Sequence, residues 1–274
     1  MTGKKKGKVR IDSLLTEREF TESRNSAKAL IMAGVVFVNG KRIDKAGALV
    51  NPSAEITIKG NPCPYVSRGG LKLEGVLDEF KLSVKDKIAV DIGASTGGFT
   101  DCLLQRGVKK VYAIDTGYGQ LHWKLRNDNR VINLEKINAR YLTEDIIPEK
   151  ADLITIDVSF ISIKKIIPSS LKLIKENGIV IALIKPQFEI GKGMVDKGGV
   201  IKSLEKHKIV LKDIVDFISQ LEVDILGLTI SKIKGQQGNV EFFILLKNSQ
   251  KELKKKKFEL LINNVLLKLN DKRV

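Results

Sequence analysis

The stretch Ile-Ala-Val-Asp-Ile-Gly-Ala-Ser-Thr-Gly-Gly-Phe-Thr, residues 88–100, constrains the fold more than any other. Ile88 to Ile92 is an apolar run of the length of a buried parallel strand, and Gly93 marks a tight exit from it. The pair Gly97-Gly98 then lets backbone approach a ligand closely before a helix begins. Strand, glycine turn and helix in this order open a nucleotide-binding α/β sheet. The spacing is not G-x-G-x-x-G, because Ser95 stands where the second glycine would be. No Gly-Lys-Ser/Thr is present, which excludes a P-loop. Asp115 ends the next apolar run, Val111 to Ile114, 115 − 91 = 24 positions beyond Asp91. That is where such folds hold a carboxylate for ribose hydroxyls. Two strand-end acids about a glycine turn suit S-adenosylmethionine, which carries no phosphate to cradle. A capping turn without a ligand is the alternative.

Downstream, apolar runs and helical spacing alternate. Strands are expected near 88–92, 111–115, 131–134, 153–157, 179–184, 224–230 and 240–246, with helices over Ile163 to Lys175 and Leu204 to Leu221. The fold class is therefore α/β, a doubly wound, mostly parallel sheet. Only Ser231 to Asn239 separate the last two strands, too few residues for a crossover, so these two are expected to pair antiparallel.

Ahead of this sheet lies a smaller module. Helices are expected over Asp12 to Glu19 and Ser23 to Met32, the second ended by Gly34. Asn39-Gly40 between two apolar-rich runs predicts a type I′ hairpin, and Ala54 to Ile58 a further strand. Arg10, Arg24, Lys28, Lys41 and Arg42 make this module basic. Asn61-Pro62-Cys63-Pro64 breaks regular structure. The domains are thus read as 1–60, a linker at 61–66, a catalytic domain at 67–246 and an extension at 247–274.

The net charge of +16 is concentrated at the ends. Residues 1–60 carry twelve Lys/Arg against six Asp/Glu, and residues 247–274 nine against three, +6 each. Basic ends on a near-neutral body point to a polyanion partner, most simply nucleic acid. A lysine-rich surface that merely solvates the chain is the alternative. Lys4, Lys5, Lys6 and Lys8 read as a mobile arm. Lys254 to Lys257, followed by Phe258, Leu260, Leu261, Val265, Leu266 and Leu269, read as an amphipathic helix packed on the body. Two cysteines and two histidines give no metal-ligand spacing and no disulfide framework, and no signal core or spanning run is present. A cytoplasmic protein without metal or stable membrane association is expected.

In an open α/β sheet, ligands sit beyond the carboxyl ends of the parallel strands. Asp157 and Lys185 end strands there, and Glu241 begins an antiparallel one at the same edge, so the three should converge. Lys185 follows six apolar residues, and partial desolvation would lower its pKa toward that of a usable base. A salt-bridged strand-end lysine is the plain alternative. Lys72, at the first turn of a helix begun by Ser67-Arg68-Gly69-Gly70, opposes the helix dipole and calls for another reason to be there.

Residues 10–60 resemble the small RNA-binding domain first seen in ribosomal protein S4, through Arg-Ile-Asp-x-Leu-Leu, Ser-Arg-x-x-Ala-x-x-Leu-Ile and Gly-Val-Val-x-Val-Asn-Gly-Lys. Residues 9–246 as a whole resemble the TlyA (haemolysin A) family of ribosomal RNA methyltransferases, whose catalytic domain is FtsJ-like. The motifs that carry this are Val66 to Leu73, Asp91 to Gln105, Asp115 to Leu121, Asn138-Ala139-Arg140, Ile156 to Ser162, Lys185 to Glu189, Lys197 to Val200 and Gly238 to Phe242. The resemblance implies a Rossmann-like class I methyltransferase sheet and a catalytic set of Lys72, Asp157, Lys185 and Glu241. It implies S-adenosylmethionine held by Asp91, Gly93, Ser95, Thr96, Gly97, Gly98, Phe99, Asp115 and Asn138, with Asp115 at its ribose. RNA contacts are expected at Arg10, Arg24, Lys28, Lys41, Arg42 and Arg68. The implied reaction is 2′-O-methylation of ribose, at cytidine, in the RNA of ribosomal subunits. The rival readings are a non-catalytic RNA-binding assembly factor and a membrane-active haemolysin.

Overall fold

A computed structural model describes residues 7–21, 23–32, 34–59, 63–191, 193–196, 198–235, 238–249 and 256–271. Lys4 to Lys6 of the basic arm, Asn61 and Pro62 of the linker, Lys197, and Lys254 and Lys255 fall outside them. The chain divides into two compact units after Pro64, so Tyr65 and Val66 belong to the second.

The first unit comprises β1 (Val9–Arg10), α1 (Ile11–Glu17), α2 (Arg24–Met32), β2 (Val36–Val38), β3 (Lys41–Arg42), β4 (Leu49–Val50) and β5 (Ile56–Ile58). The two helices close on a small core of Ile11, Leu14, Leu15, Ala27 and Ile31 against Val36, Val38 and Ile56. β2 pairs with β3 through Phe37↔Arg42 and Val38↔Lys41, and Asn39 and Gly40 both have positive φ (47° and 77°), as the Asn-Gly turn predicts.

The second unit is built on a seven-stranded sheet, named in chain order β6 (Ile88–Ile92), β7 (Lys110–Ile114), β8 (Val131–Leu134), β9 (Ala151–Ile156), β10 (Ile174–Ile184), β11 (Asp224–Ile230) and β12 (Phe242–Lys247). Their spatial order is β11-β12-β10-β9-β6-β7-β8. All neighbours are parallel except β12, which runs antiparallel to both β10 and β11. α3 (Gly69–Glu79), α4 (Gly98–Gln105), α5 (Trp123–Arg126), α6 (Ile167–Leu171), α7 (Pro186–Glu189), α8 (Leu204–Ile218) and α9 (Lys256–Asp271) complete the unit.

The helix expected over Ile163 to Lys175 is cut short. A single 3-10 turn, Ile163–Lys165, precedes α6, and the chain is already extended at Ile174. β10 pairs with β9 at Ile174 and resumes at Ile179 after a register shift, so the charged residues between belong to an irregular strand rather than a helix end. α9 packs Phe258, Ile262, Val265 and Leu269 into the main core, whereas Leu260 faces outward. Among the described residues no helix is long and apolar enough to cross a membrane.

Candidate active site

The topology brings the ends of four segments to one edge of the sheet. Asp157 follows β9 directly and Lys185 follows β10. β10 and β12 pair through Ile184↔Phe242, so the next register position sets Lys185 beside Glu241. The side chains form two ion pairs: Lys185 Nζ lies 2.6 Å from Asp157 Oδ1, and Lys72 Nζ lies 2.5 Å from Glu241 Oε2. Lys185 also donates to Ser159 Oγ at 2.8 Å. Lys72, Lys185 and Glu241 are nearly buried, with side-chain exposures of 12%, 11% and 2%, and Asp157 is the most open at 20%. Glu241 is the reason Lys72 can sit in the first turn of α3 against the helix dipole. Each lysine is thus matched to its own carboxylate, rather than both carboxylates gathering about Lys185.

Asp157 also lines a cavity of about 490 Å³, bounded by the turn at Gly93 and Ser95, by Asp115, Thr116 and Gln120, by Ile137 to Arg140 and by the loop 157–161. Gly93 has φ +83°, and a Cβ there would lie 2.4 Å from the Asp157 carbonyl oxygen, so only glycine lets the turn pass this loop. Asp115 is held rigidly: Oδ2 accepts the Ser95 N–H at 2.8 Å and Oδ1 the Gly117 N–H at 2.7 Å. Lone pairs remain on both oxygens for hydroxyl donors. The side chains of Ile92, Ile114, Ile137, Ile161 and Ile166 add apolar wall. A nucleoside with a cationic centre fits this lining: apolar surface for a base, an ordered carboxylate for ribose hydroxyls, and a second carboxylate, Asp157, toward the ion-paired edge.

Of the residues expected to hold S-adenosylmethionine, Gly93, Ser95, Asp115 and Asn138 line the cavity. The other five stand outside its lining. Thr96 is exposed on the turn. Space beside the glycine pair is taken by protein: a Cβ on Gly97 would meet Leu125 at 2.1 Å, and one on Gly98 would meet Ser67 Oγ at 2.2 Å. On the Cβ side of this pair stand α5 and the residues at the start of α3. Phe99 is buried against Phe243. Asp91 is fully buried, accepting Thr100 Oγ1–H at 2.7 Å and Thr155 Oγ1–H at 2.9 Å, and so ties α4 to β9 across β6. Thr116, Gln120, Arg140, Ser159 and Phe160 line the cavity without having been singled out as cofactor residues from the sequence. Their neighbours in chain order, Asp115, Asn138 and Asp157, were the available signal.

Burial pushes the Asp91 carboxyl up to about 6. Because this lies above its unfolded value near 4, the group's contribution to stability is complete below about pH 4 and is lost as pH rises through about 6. Asp91→Asn should remove this dependence. Urea unfolding of both proteins at pH 4.5 and 7.5 should shift by about 2 kcal/mol in the variant's favour across that interval. A constant difference would show that Asp91 titrates normally.

In the first unit the basic residues divide. Asp12, fully buried, takes Arg10 at 2.8 Å and Arg24 at 3.1 Å, and these guanidinium groups hold its carboxyl well below the usual range. Arg42 pairs with Asp44 at 2.8 Å, and Lys28 and Lys41 are exposed. In the second unit Arg68 is exposed and donates to the Lys234 carbonyl at 3.1 Å. Among the described residues no group of His, Cys, Asp and Glu could hold a metal ion.

Residues 65–248 match the family model of FtsJ-like methyltransferases, and residues 9–56 that of the S4 domain. A relative from Mycobacterium tuberculosis, 16S/23S rRNA (cytidine-2′-O)-methyltransferase TlyA, is 39% identical over 241 residues, 88% of this chain and 90% of its own. The chain belongs to the TlyA (haemolysin A) family. TlyA-family kinship extends to the "Putative rRNA methyltransferase YqxC" of Bacillus subtilis, 49% identical over 90% of this chain and 87% of that protein. It includes a solved structure titled "Putative hemolysin from Streptococcus thermophilus", with a TM-score of 0.74 and 40% identity over 97% of this chain and 99% of that one. Membership in the TlyA family makes the second unit a class I methyltransferase domain and the first an S4 domain.

Proposed function

We propose that this protein transfers a methyl group from S-adenosylmethionine to the ribose 2′-hydroxyl of a cytidine in ribosomal RNA, in the cytoplasm. The observation that carries this reading is the pair of buried lysine–carboxylate contacts, Lys185–Asp157 and Lys72–Glu241, at the sheet edge where the Asp115 cavity opens to Asp157. S-adenosylmethionine, when bound, supplies an electrophilic methyl on a sulfonium. Gly93, Ser95, Asp115 and Asn138 would hold it.

A neutral hydroxyl is a weak nucleophile, so the site must take its proton or stabilise the developing alkoxide. Lys185 would take that role. Asp157 and Ser159 fix its direction. Lys72, anchored by Glu241, adds a second cation without needing bulk water to solvate it.

RNA bases reach such an edge only when unstacked. Phe160, 90% exposed at the rim of the cavity, offers a face on which an unstacked base can rest. The S4 unit would dock the surrounding RNA through exposed cations such as Lys28 and Lys41.

Labelled methyl transfer from S-adenosylmethionine to unmethylated 30S and 50S subunits, assayed separately, tests the reading. Label is expected on RNA alone, and alkaline hydrolysis should leave it in alkali-resistant dinucleotides, since a methylated 2′-oxygen cannot attack its phosphate. No label on either subunit, with the cofactor still bound, would replace an enzyme with an RNA-binding assembly factor.

A further inference from the structure

The loop 157–163 carries Asp157, Ser159 and Phe160, and it needs to be held. Phe160 has φ +63°, a left-handed conformation disfavoured for a large side chain, and its exposed ring gains little from burial. Five consecutive residues, Lys185 to Glu189, meet this loop at three places. Lys185 reaches Asp157 and Ser159. The Phe188 ring lies 4.9 Å from that of Phe160, tilted by 47°. Glu189 Oε1 accepts the Ile163 N–H at 2.9 Å.

The last contact has the character of a trans cap. Ile163 opens a 3-10 turn whose leading N–H groups lack partners inside the turn. Ser162 Oγ accepts the Lys164 N–H, and Glu189, from α7, accepts that of Ile163. The Ile163 side chain is buried in the main core, which makes it a firm post. Glu189 takes this role at a cost. Its Oε2 is buried with no hydrogen-bond partner, and burial holds its carboxyl above the ordinary range. An apolar residue would fill the same space without that penalty.

We propose that Glu189 is a positioning residue for methyl transfer, which through the Ile163 N–H fixes the loop that sets Asp157 against Lys185 and turns the Phe160 ring toward the substrate nucleoside. This rests on the functional reading above. Glu189 touches neither pair, so it acts only through the loop.

The test measures kcat, KM for RNA and cofactor Kd in the full-length chain for Glu189→Ala, Glu189→Gln, Phe160→Ala and the Glu189→Ala/Phe160→Ala double variant. Glu189→Ala is expected to lower kcat/KM about 10-fold or more, while cofactor Kd changes less than about 3-fold, as for a loop displaced from a working geometry. Glu189→Gln keeps a carbonyl acceptor for Ile163 and should recover to within about 3-fold of wild type. The double variant should be little worse than Phe160→Ala, because both changes act on one loop. A loss of thermal stability with unchanged kcat/KM, a Gln variant as poor as Ala, or fully multiplicative losses would each overturn the proposal. A wild-type kcat/KM in Phe160→Ala would instead strike at the stacking role in the functional reading, and the proposal would fall with it.

Discussion

Lys185→Ala is expected to reduce methyl transfer by about 10³-fold or more, with cofactor affinity changed by less than about 3-fold. General acid–base groups contribute on the order of 10²–10⁴, and Lys185 also supplies a charge at the reacting edge. Its side chain points to Asp157 and Ser159, outside the Asp115 end of the cavity, which is why binding should survive. Removing one member of a nearly buried pair leaves Asp157 without its partner, so thermal unfolding must be measured alongside to normalise for folded protein. Lys185→Arg then separates two roles. It keeps the cation beside Asp157 but cannot become a neutral base near pH 7. Partial turnover in Lys185→Arg would favour electrostatic stabilisation, and none would favour proton transfer. Full turnover in Lys185→Ala would remove the residue from catalysis.

Gly93→Ala should be the most damaging single methyl in the catalytic unit. The backbone there has φ +83°, and the new carbon would sit 2.4 Å from the Asp157 carbonyl oxygen and 2.9 Å from its carbonyl carbon. Both neighbours are backbone, fixed by the Asp157 N–H to the Ile92 carbonyl at 2.9 Å, so neither can swing away as a side chain would. The expected cost is about 3 kcal/mol or more, from combined strain and overpacking. Because the turn and the 157–161 loop both line one cavity, cofactor affinity should fall at least about 10-fold in whatever protein remains folded. Gly119→Ala is the control. Its φ is +71°, yet nothing lies within 4 Å of its Cβ position, so it bears the conformational cost alone, about 1 kcal/mol. Equal effects of the two substitutions would show that close approach is not what Gly93 provides.

The sheet was legible because its strands are buried and therefore written as apolar runs. The run Ile88 to Ile92 coincides with β6, and Val111 to Ile114 falls within β7. Where the strand leaves the core the signal fails. Lys175, Glu176 and Asn177 are exposed, and the spacing from Ile163 to Lys175 imitates a helix. The convergence of Asp157, Lys185 and Glu241 followed from strand direction alone. Which lysine takes which carboxylate did not, since that depends on where side chains point. The glycine pair is ambiguous for a related reason. A missing Cβ announces that something comes close, but not whether it is ligand or Leu125.

The Asp12 contacts change what a charge count means. Arg10 and Arg24 are both drawn to one interior carboxylate, so part of the module's formal positive charge is internally compensated. Alanine scanning for RNA contacts would therefore report two different quantities in the same units. At Lys28 or Lys41, weaker binding would measure lost attraction and should shrink the salt dependence. At Arg10 or Arg24 it would also record a module loosened by an undercompensated acid in its core. Only a melting curve taken beside each titration would tell a docking residue from a keystone.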